Sequence, residues 1–179
     1  MYEDGEYRII QDTVTDTEGT VLHRYTYDYE LHNGRVFRIL YRFESGNTWQ
    51  QTEYEYSYVD AYYDYDTVTE TRTQKDGTVD WIRTRKIYFM DSGYAPMEIL
   101  RVYPNATDAS VSKKIYDYVV YEDTIVTSYE KTEFANGTWR LYEYEYDFEA
   151  GTYVQTYTDS SGNTTTSTET IEGSSGGKK

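Results

Sequence analysis

Cysteine is absent from the chain, and proline occurs only twice. The first absence excludes disulfides and cysteine-ligated metals and leaves the redox compartment unconstrained. Leucine is nearly as scarce, with five residues in 179 against 24 tyrosines and 26 threonines, so aliphatic bulk for a thick core is missing. No stretch approaches the 18 apolar residues of a membrane-spanning helix, and no membrane insertion is expected. Basic residues are few, 17 against 32 acidic ones, for a net charge of −15. Nucleic-acid binding needs the opposite sign. An acidic inhibitor mimicking nucleic acid would suit the charge, but here the acids alternate with Tyr and Thr instead of forming runs. The opening Met1-Tyr2-Glu3-Asp4 reverses the basic start of a signal peptide. The chain therefore either stays inside the cell or begins where a leader was removed.

What the sequence holds is a repeated pattern, a turn followed by a long alternating strand. Its fullest copy is Asn136-Gly137-Thr138-Trp139 running on to Phe148. Others open at Gly19-Thr20-Val21, Gly46-Asn47-Thr48-Trp49, Gly77-Thr78-Val79, Ala109-Ser110-Val111 and Gly162-Asn163-Thr164. The spacing, roughly 25 to 32 residues, is the length of two strands and two turns and marks a repeat architecture. Asn33-Gly34, Asp76-Gly77 and Asn136-Gly137 are strong hairpin signals. Tyr and Thr favour a pleated, half-buried surface, and period-two columns such as Tyr25, Tyr27 and Tyr29, or Phe37, Ile39, Tyr41 and Phe43, read as strands covered on one face. Asp91 to Pro96 reads as a loose loop. Ser110 to Glu122, the best helical window, is too rich in β-branched and aromatic residues.

These signals predict an all-β fold, an antiparallel meander of about 12 strands built from two-strand repeats. A closed barrel of that many strands would have a lumen too wide for these side chains to fill, so an open, twisted or coiled sheet is favoured. Residues 1–172 form one repetitive sheet domain, and 173–179, Gly-Ser-Ser-Gly-Gly-Lys-Lys, a flexible tail.

Tyr157-Thr158-Asp159-Ser160-Ser161-Gly162-Asn163-Thr164 resembles the YD repeat of bacterial Rhs-type and teneurin-like shells, whose units carry Tyr-x-Tyr-Asp and then a Gly-Arg or Gly-Asn turn. It lacks only the second Tyr. Tyr144-Glu145-Tyr146-Asp147-Phe148-Glu149-Ala150-Gly151 is similar, with one residue too many before its glycine, and Tyr25-Thr26-Tyr27-Asp28 with Asn33-Gly34-Arg35 is looser. The resemblance implies a wall of β-hairpins without chemistry of its own.

Candidate chemistry is thin. His23 lies mid-strand and His32 in a turn, with no nucleophile pattern beside either. Asp60, Asp64 and Asp66 offer oxygen ligands without the spacing or central glycine of a calcium loop. Glu53, Glu55, Glu143 and Glu145 could be mistaken for glycosidase carboxylates, but nothing singles out one pair with a raised acid. They are expected to oppose Arg38, Arg42, Arg83, Arg85, Lys113 and Lys114 across strands. No catalytic residue, cofactor or metal ligand is assigned.

Two features remain. Tyr54, Tyr56, Tyr58, Tyr116, Tyr118, Tyr142, Tyr144 and Tyr146 sit at matching offsets from their turns and should share a face. They either pack that face against each other or offer an aromatic platform to glycan or peptide. Thr164, Thr166, Thr168, Thr170 and Ile171 form a strand with little to bury and neither Pro nor Lys to blunt it, an edge open to another chain. The leading expectation is a non-enzymatic structural or assembly module of a bacterial surface structure, filament or phage-like particle, outside the cell or on its surface. Its partners would be its own copies or other structural subunits. The alternative is a glycan- or peptide-binding module using the Tyr face. The tail is also compatible with an engineered sheet protein.

Overall fold

The computed structural model describes residues 8, 10–32, 35–45, 48–57 and 66–171. It contains twelve strands: β1 (Gln11–Thr15), β2 (Val21–His32), β3 (Arg35–Ser45), β4 (Thr48–Ser57), β5 (Thr67–Gln74), β6 (Val79–Met90), β7 (Gly93–Val102), β8 (Val111–Tyr121), β9 (Thr124–Phe134), β10 (Trp139–Asp147), β11 (Thr152–Asp159) and β12 (Thr164–Thr170). They form one antiparallel sheet in chain order, a meander that does not close into a barrel. There is no helix among the described residues. The Asn33-Gly34 and Gly46-Asn47 turns, Tyr58, Asp60, Asp64 and residues 173–179 lie outside the described residues. The chain divides into two compact units, 1–87 with 96–105, and 88–95 with 106–179.

One turn design recurs at four places. In Gln74–Thr78, Gly77 N–H donates to Gln74 O at 3.0 Å, Gln74 N–H donates to Thr78 O at 2.8 Å, and Asp76 Oδ1 accepts from Thr78 N–H at 2.9 Å. Phe134–Thr138 repeats it with Asn136 in the Asp76 role, and Asp16–Thr20 and Asp159–Asn163 repeat its two backbone bonds. These are three-residue loops whose third residue is left-handed. The hairpins that the sequence marks at Asp76-Gly77 and Asn136-Gly137 are two of these loops. The glycine takes the third loop position, because the side chain before it bonds forward and holds the first two residues in an ordinary right-handed turn.

The strand from Gly93 corrects the loop expected at Asp91 to Pro96. The chain turns at Asp91 and Ser92, whose N–H is bound by Asp123 Oδ1 at 2.7 Å, and β7 begins at once with Pro96 inside it. Gly93, at φ 151°, makes so abrupt a return possible. Phe37 is a second correction. It falls at the β2–β3 bulge between the pairs Leu31–Val36 and Glu30–Arg38, and it is 43% exposed instead of joining its column.

Very little of the apolar inventory is fully buried. Among the described residues, Val68 and Ile87 are the buried hydrophobic ones, and Glu70 is buried at 1% exposure. Most other strand residues are half-covered by their neighbours on the same face. Stability therefore rests on strand pairing and on the turns that set it.

A Cβ at Gly137 would meet nothing within 4 Å, so Gly137→Ala should lose stability only through its φ of 84°, by about 1–2 kcal/mol. Glu122 is the converse case, a non-glycine at φ 50° in the tight turn between Tyr121 and Thr124. Glu122→Gly should raise the denaturation midpoint by relieving a penalty of about 1 kcal/mol, partly offset by greater unfolded-chain freedom. Chemical denaturation of both variants, followed by circular dichroism, checks the two opposite signs.

Candidate functional site

In the first unit the register carries Tyr29, Ile39, Tyr54, Glu70 and Arg83 in one row across β2 to β6. The rows beside it hold Tyr27, Tyr41, Thr52, Arg72 and Trp81 on one side, and Tyr56, Val68 and Arg85 on the other. Tyr27, Tyr29, Ile39, Tyr41, Tyr54 and Tyr56 line a shallow depression of about 480 Å³. Ring centroids lie 6.3 Å apart for Tyr27 and Tyr29 along β2 and 5.2 Å for Tyr27 and Tyr41 across strands. The first distance is close to the roughly 6.6 Å between same-face residues of a strand.

Among the described residues, Glu70 is the one charged residue sealed within this face. Its Oε2 lies 2.5 Å from Arg83 Nη2 and its Oε1 2.6 Å from Arg85 Nη2. The guanidinium carbons of Arg83 and Arg101 lie 5.1 and 5.8 Å from the Trp81 ring centre. A buried carboxylate is tolerated only with such partners. Two arginines on one carboxylate leave the group with a positive excess in an otherwise acidic chain.

The second unit builds its own aromatic face. Tyr116 on β8 and Tyr142 on β10 both sit opposite Glu130 of β9, which places them on one face two strands apart. Tyr118 follows at 6.4 Å from Tyr116, and Tyr146 at 6.5 Å from Tyr144. Tyr153 and Tyr157 of β11 interleave, with Tyr153 at 5.4 Å from Tyr146 and Tyr157 at 5.1 Å from Tyr142. Phe148 stacks flat on Tyr121 at 3.9 Å. The Tyr146 hydroxyl donates to Thr127 O at 2.8 Å. Apart from Tyr121, which is exposed, these rings are half-buried. Desolvation raises the pKa of Tyr41, Tyr54, Tyr144 and Tyr146 above the usual phenol value. Tyr88 is pushed up to about 12 by burial and by Asp117, which accepts its hydroxyl at 3.3 Å.

Among the sequence candidates, Tyr54 and Tyr56 share the first face, and Tyr116, Tyr118, Tyr142, Tyr144 and Tyr146 the second; Tyr58 is not described. Sequence reasoning missed Glu70 and the part played by Tyr27, Tyr29, Ile39 and Tyr41. Parity with Val68 in Thr67-Val68-Thr69-Glu70 was the available signal for Glu70. Arg38 pairs with Glu53 and, at 3.7 Å, with Glu30, while Lys113 reaches Glu133 at 4.0 Å. Arg42 bonds Gln51 at 3.0 Å and lies over Trp49. Glu55, Glu143 and Glu145 are exposed. His23 is half-buried with its ring 5.4 Å from Phe43, and His32 closes β2. Asp66 leads into β5 and donates its N–H to Ser57 O.

At the two ends of the sheet every residue of β1 and of β12 is exposed, and Thr164, Thr166, Thr168 and Thr170 belong to the latter. Ile171 follows, donating its N–H to Gly151 O at 2.9 Å. Neither strand contains Pro or Lys. Compared with protein-family models, curated proteins and solved structures, the chain matches none.

Two measurements test the faces. Glu70→Gln removes the carboxylate that pairs with both Arg83 and Arg85 and should destabilise by roughly 3 kcal/mol. That is the low end for a broken buried pair, because both guanidiniums are partly wet. A tyrosine with a raised pKa favours its neutral form in the fold. The stability it contributes is complete below about pH 10 and is lost as pH climbs toward about 12. Ultraviolet absorbance should therefore show a late-titrating tyrosine class, ionising together with loss of the β circular-dichroism signal.

Proposed function

We propose that this protein is a non-enzymatic structural module whose sheet edges pair with another chain, its own copies being the first candidates. The observation that carries this reading is the pair of edges, β1 and β12, that no other described strand covers on an open sheet. Unpaired strand edges are templates for strand addition, and soluble proteins usually blunt them with Lys, Pro, bulges or a covering element. Here β12 is seven residues long, fully exposed and made of Thr, Ser and one Glu. It holds its place through seven pairs with β11, at little side-chain burial. A partner strand would gain main-chain hydrogen bonds there with no apolar groove required. The net charge of −15 keeps such a chain soluble and makes association sensitive to salt.

A second reading, binding of glycan or peptide on the Tyr face, draws on the depression between Tyr27, Tyr29, Tyr41, Tyr54 and Tyr56. Flat rings at such spacings suit sugar faces. Tyr56→Ala separates the readings: it should leave edge association unchanged, whereas a platform would lose its ligand.

The edge is tested by Thr166→Pro. Proline removes one outward N–H and fits an edge strand without disturbing the inner ladder. The variant should keep its β circular dichroism, while the association of the full chain, seen by light scattering as salt is raised, should be lost. Association equal to that of the parent would sink this reading.

A further inference from the structure

Resting on that self-association, we infer that copies join head to tail, β12 of one chain against β1 of the next, giving an open-ended filament with a direction. Strand parity is the first ground. The meander has twelve strands, each antiparallel to the one before, so β1 and β12 run in opposite senses along the sheet. A second copy in the same orientation therefore presents its β1 antiparallel to β12. The junction then continues the meander as one more neighbouring pair. A contact between unlike surfaces that does not close on itself propagates.

Backbone direction is the second ground. In an antiparallel pair the backbone groups of successive residues point alternately to one neighbour and to the other. In β12 the inward set is odd-numbered, since Ile171 N–H donates to Gly151 O and Asn163 O accepts from Asp159 N–H. Thr164, Thr166, Thr168 and Thr170 therefore turn their N–H and C=O outward. In β1 the inward set follows Ile10, whose carbonyl accepts from Tyr27 N–H at 2.9 Å, which leaves Gln11, Thr13 and Thr15 outward. Residues that exchange both bonds across an antiparallel pair project their side chains on the same face. The junction is thus a ladder of Thr against Thr and Gln. The chain already makes such contacts internally, between the hydroxyls of Thr158 and Thr164 at 3.3 Å and of Thr69 and Thr84 at 3.2 Å.

The test uses full-length chains carrying Thr13→Pro or Thr166→Pro, each with one outward N–H removed. Head-to-tail pairing predicts that the parent forms particles growing with concentration and salt, and that each variant alone stays monomeric. An equimolar mixture of the two should stop at twice the monomer mass, read by light scattering, because one variant supplies a sound β12 and the other a sound β1. Small amounts of either variant should shorten parent filaments in electron micrographs. If the Thr13→Pro chain dimerises alone and the mixture forms no pair between variants, β12 pairs with itself; head-to-tail joining is overturned while self-assembly stands. A parent that stays monomeric at every salt and concentration overturns both. If either proline variant loses its β spectrum, Thr13→Lys and Thr166→Lys carry the same comparison.

Discussion

The interaction on which everything else depends is the hydrogen bond from each strand to its immediate neighbour. Among the described residues only Val68 and Ile87 are buried hydrophobics, so they form no thick core to impose the sheet's arrangement from within. Each strand is held by the ladder on either side and by half-covered rings and threonines that add to it. Stability of this kind is a sum of neighbouring terms, as in repeat proteins. It also makes the four loops of shared design more consequential than loops in a cored domain, because each sets the pairing of the strands it joins. Glu70 is the exception, a charge enclosed by Arg83 and Arg85 where aliphatic volume would otherwise be needed.

Much of this was legible in the sequence. Alternating Tyr, Thr and Glu carried the strand assignment, and the spacing of turn residues carried the meander, because both are local physics. Glu122-Asp123, two acids between apolar runs, stand at the turn between β8 and β9. Where the reading slipped, a non-local or one-residue effect decided. A two-residue turn at Asn33-Gly34 would, without interruption, set Tyr27 opposite Leu40. The bulge at Phe37 shifts the ladder by one and brings Tyr41 there instead, joining two tyrosine columns into one face. No propensity scale marks such a shift. Pro96 misled for the opposite reason: its usual message, the end of a strand, was outweighed by the turn at Asp91-Ser92.

The candidate site was legible as columns and not as a surface. Period two places Tyr54 beside Tyr56 and Tyr142 beside Tyr144 with no other knowledge. That Tyr116 and Tyr142 flank Glu130, or that Tyr153 and Tyr157 fill the gaps on β11, depends on register across strands, which the sequence specifies only through its bulges and turn types. The edges were easier, since Thr-rich β12 declares by composition that it has nothing to bury.

The two-strand repeat has a consequence for how such a chain can change over time. Duplicating or deleting one whole hairpin adds or removes a pair of strands, so the last strand keeps its sense and its outward threonines keep their side of the sheet. Inserting a single strand would reverse both. Length is thus a quantity that descent can vary in steps of one hairpin without remaking either end, and each step joins or leaves the sheet through contacts with its nearest neighbours alone.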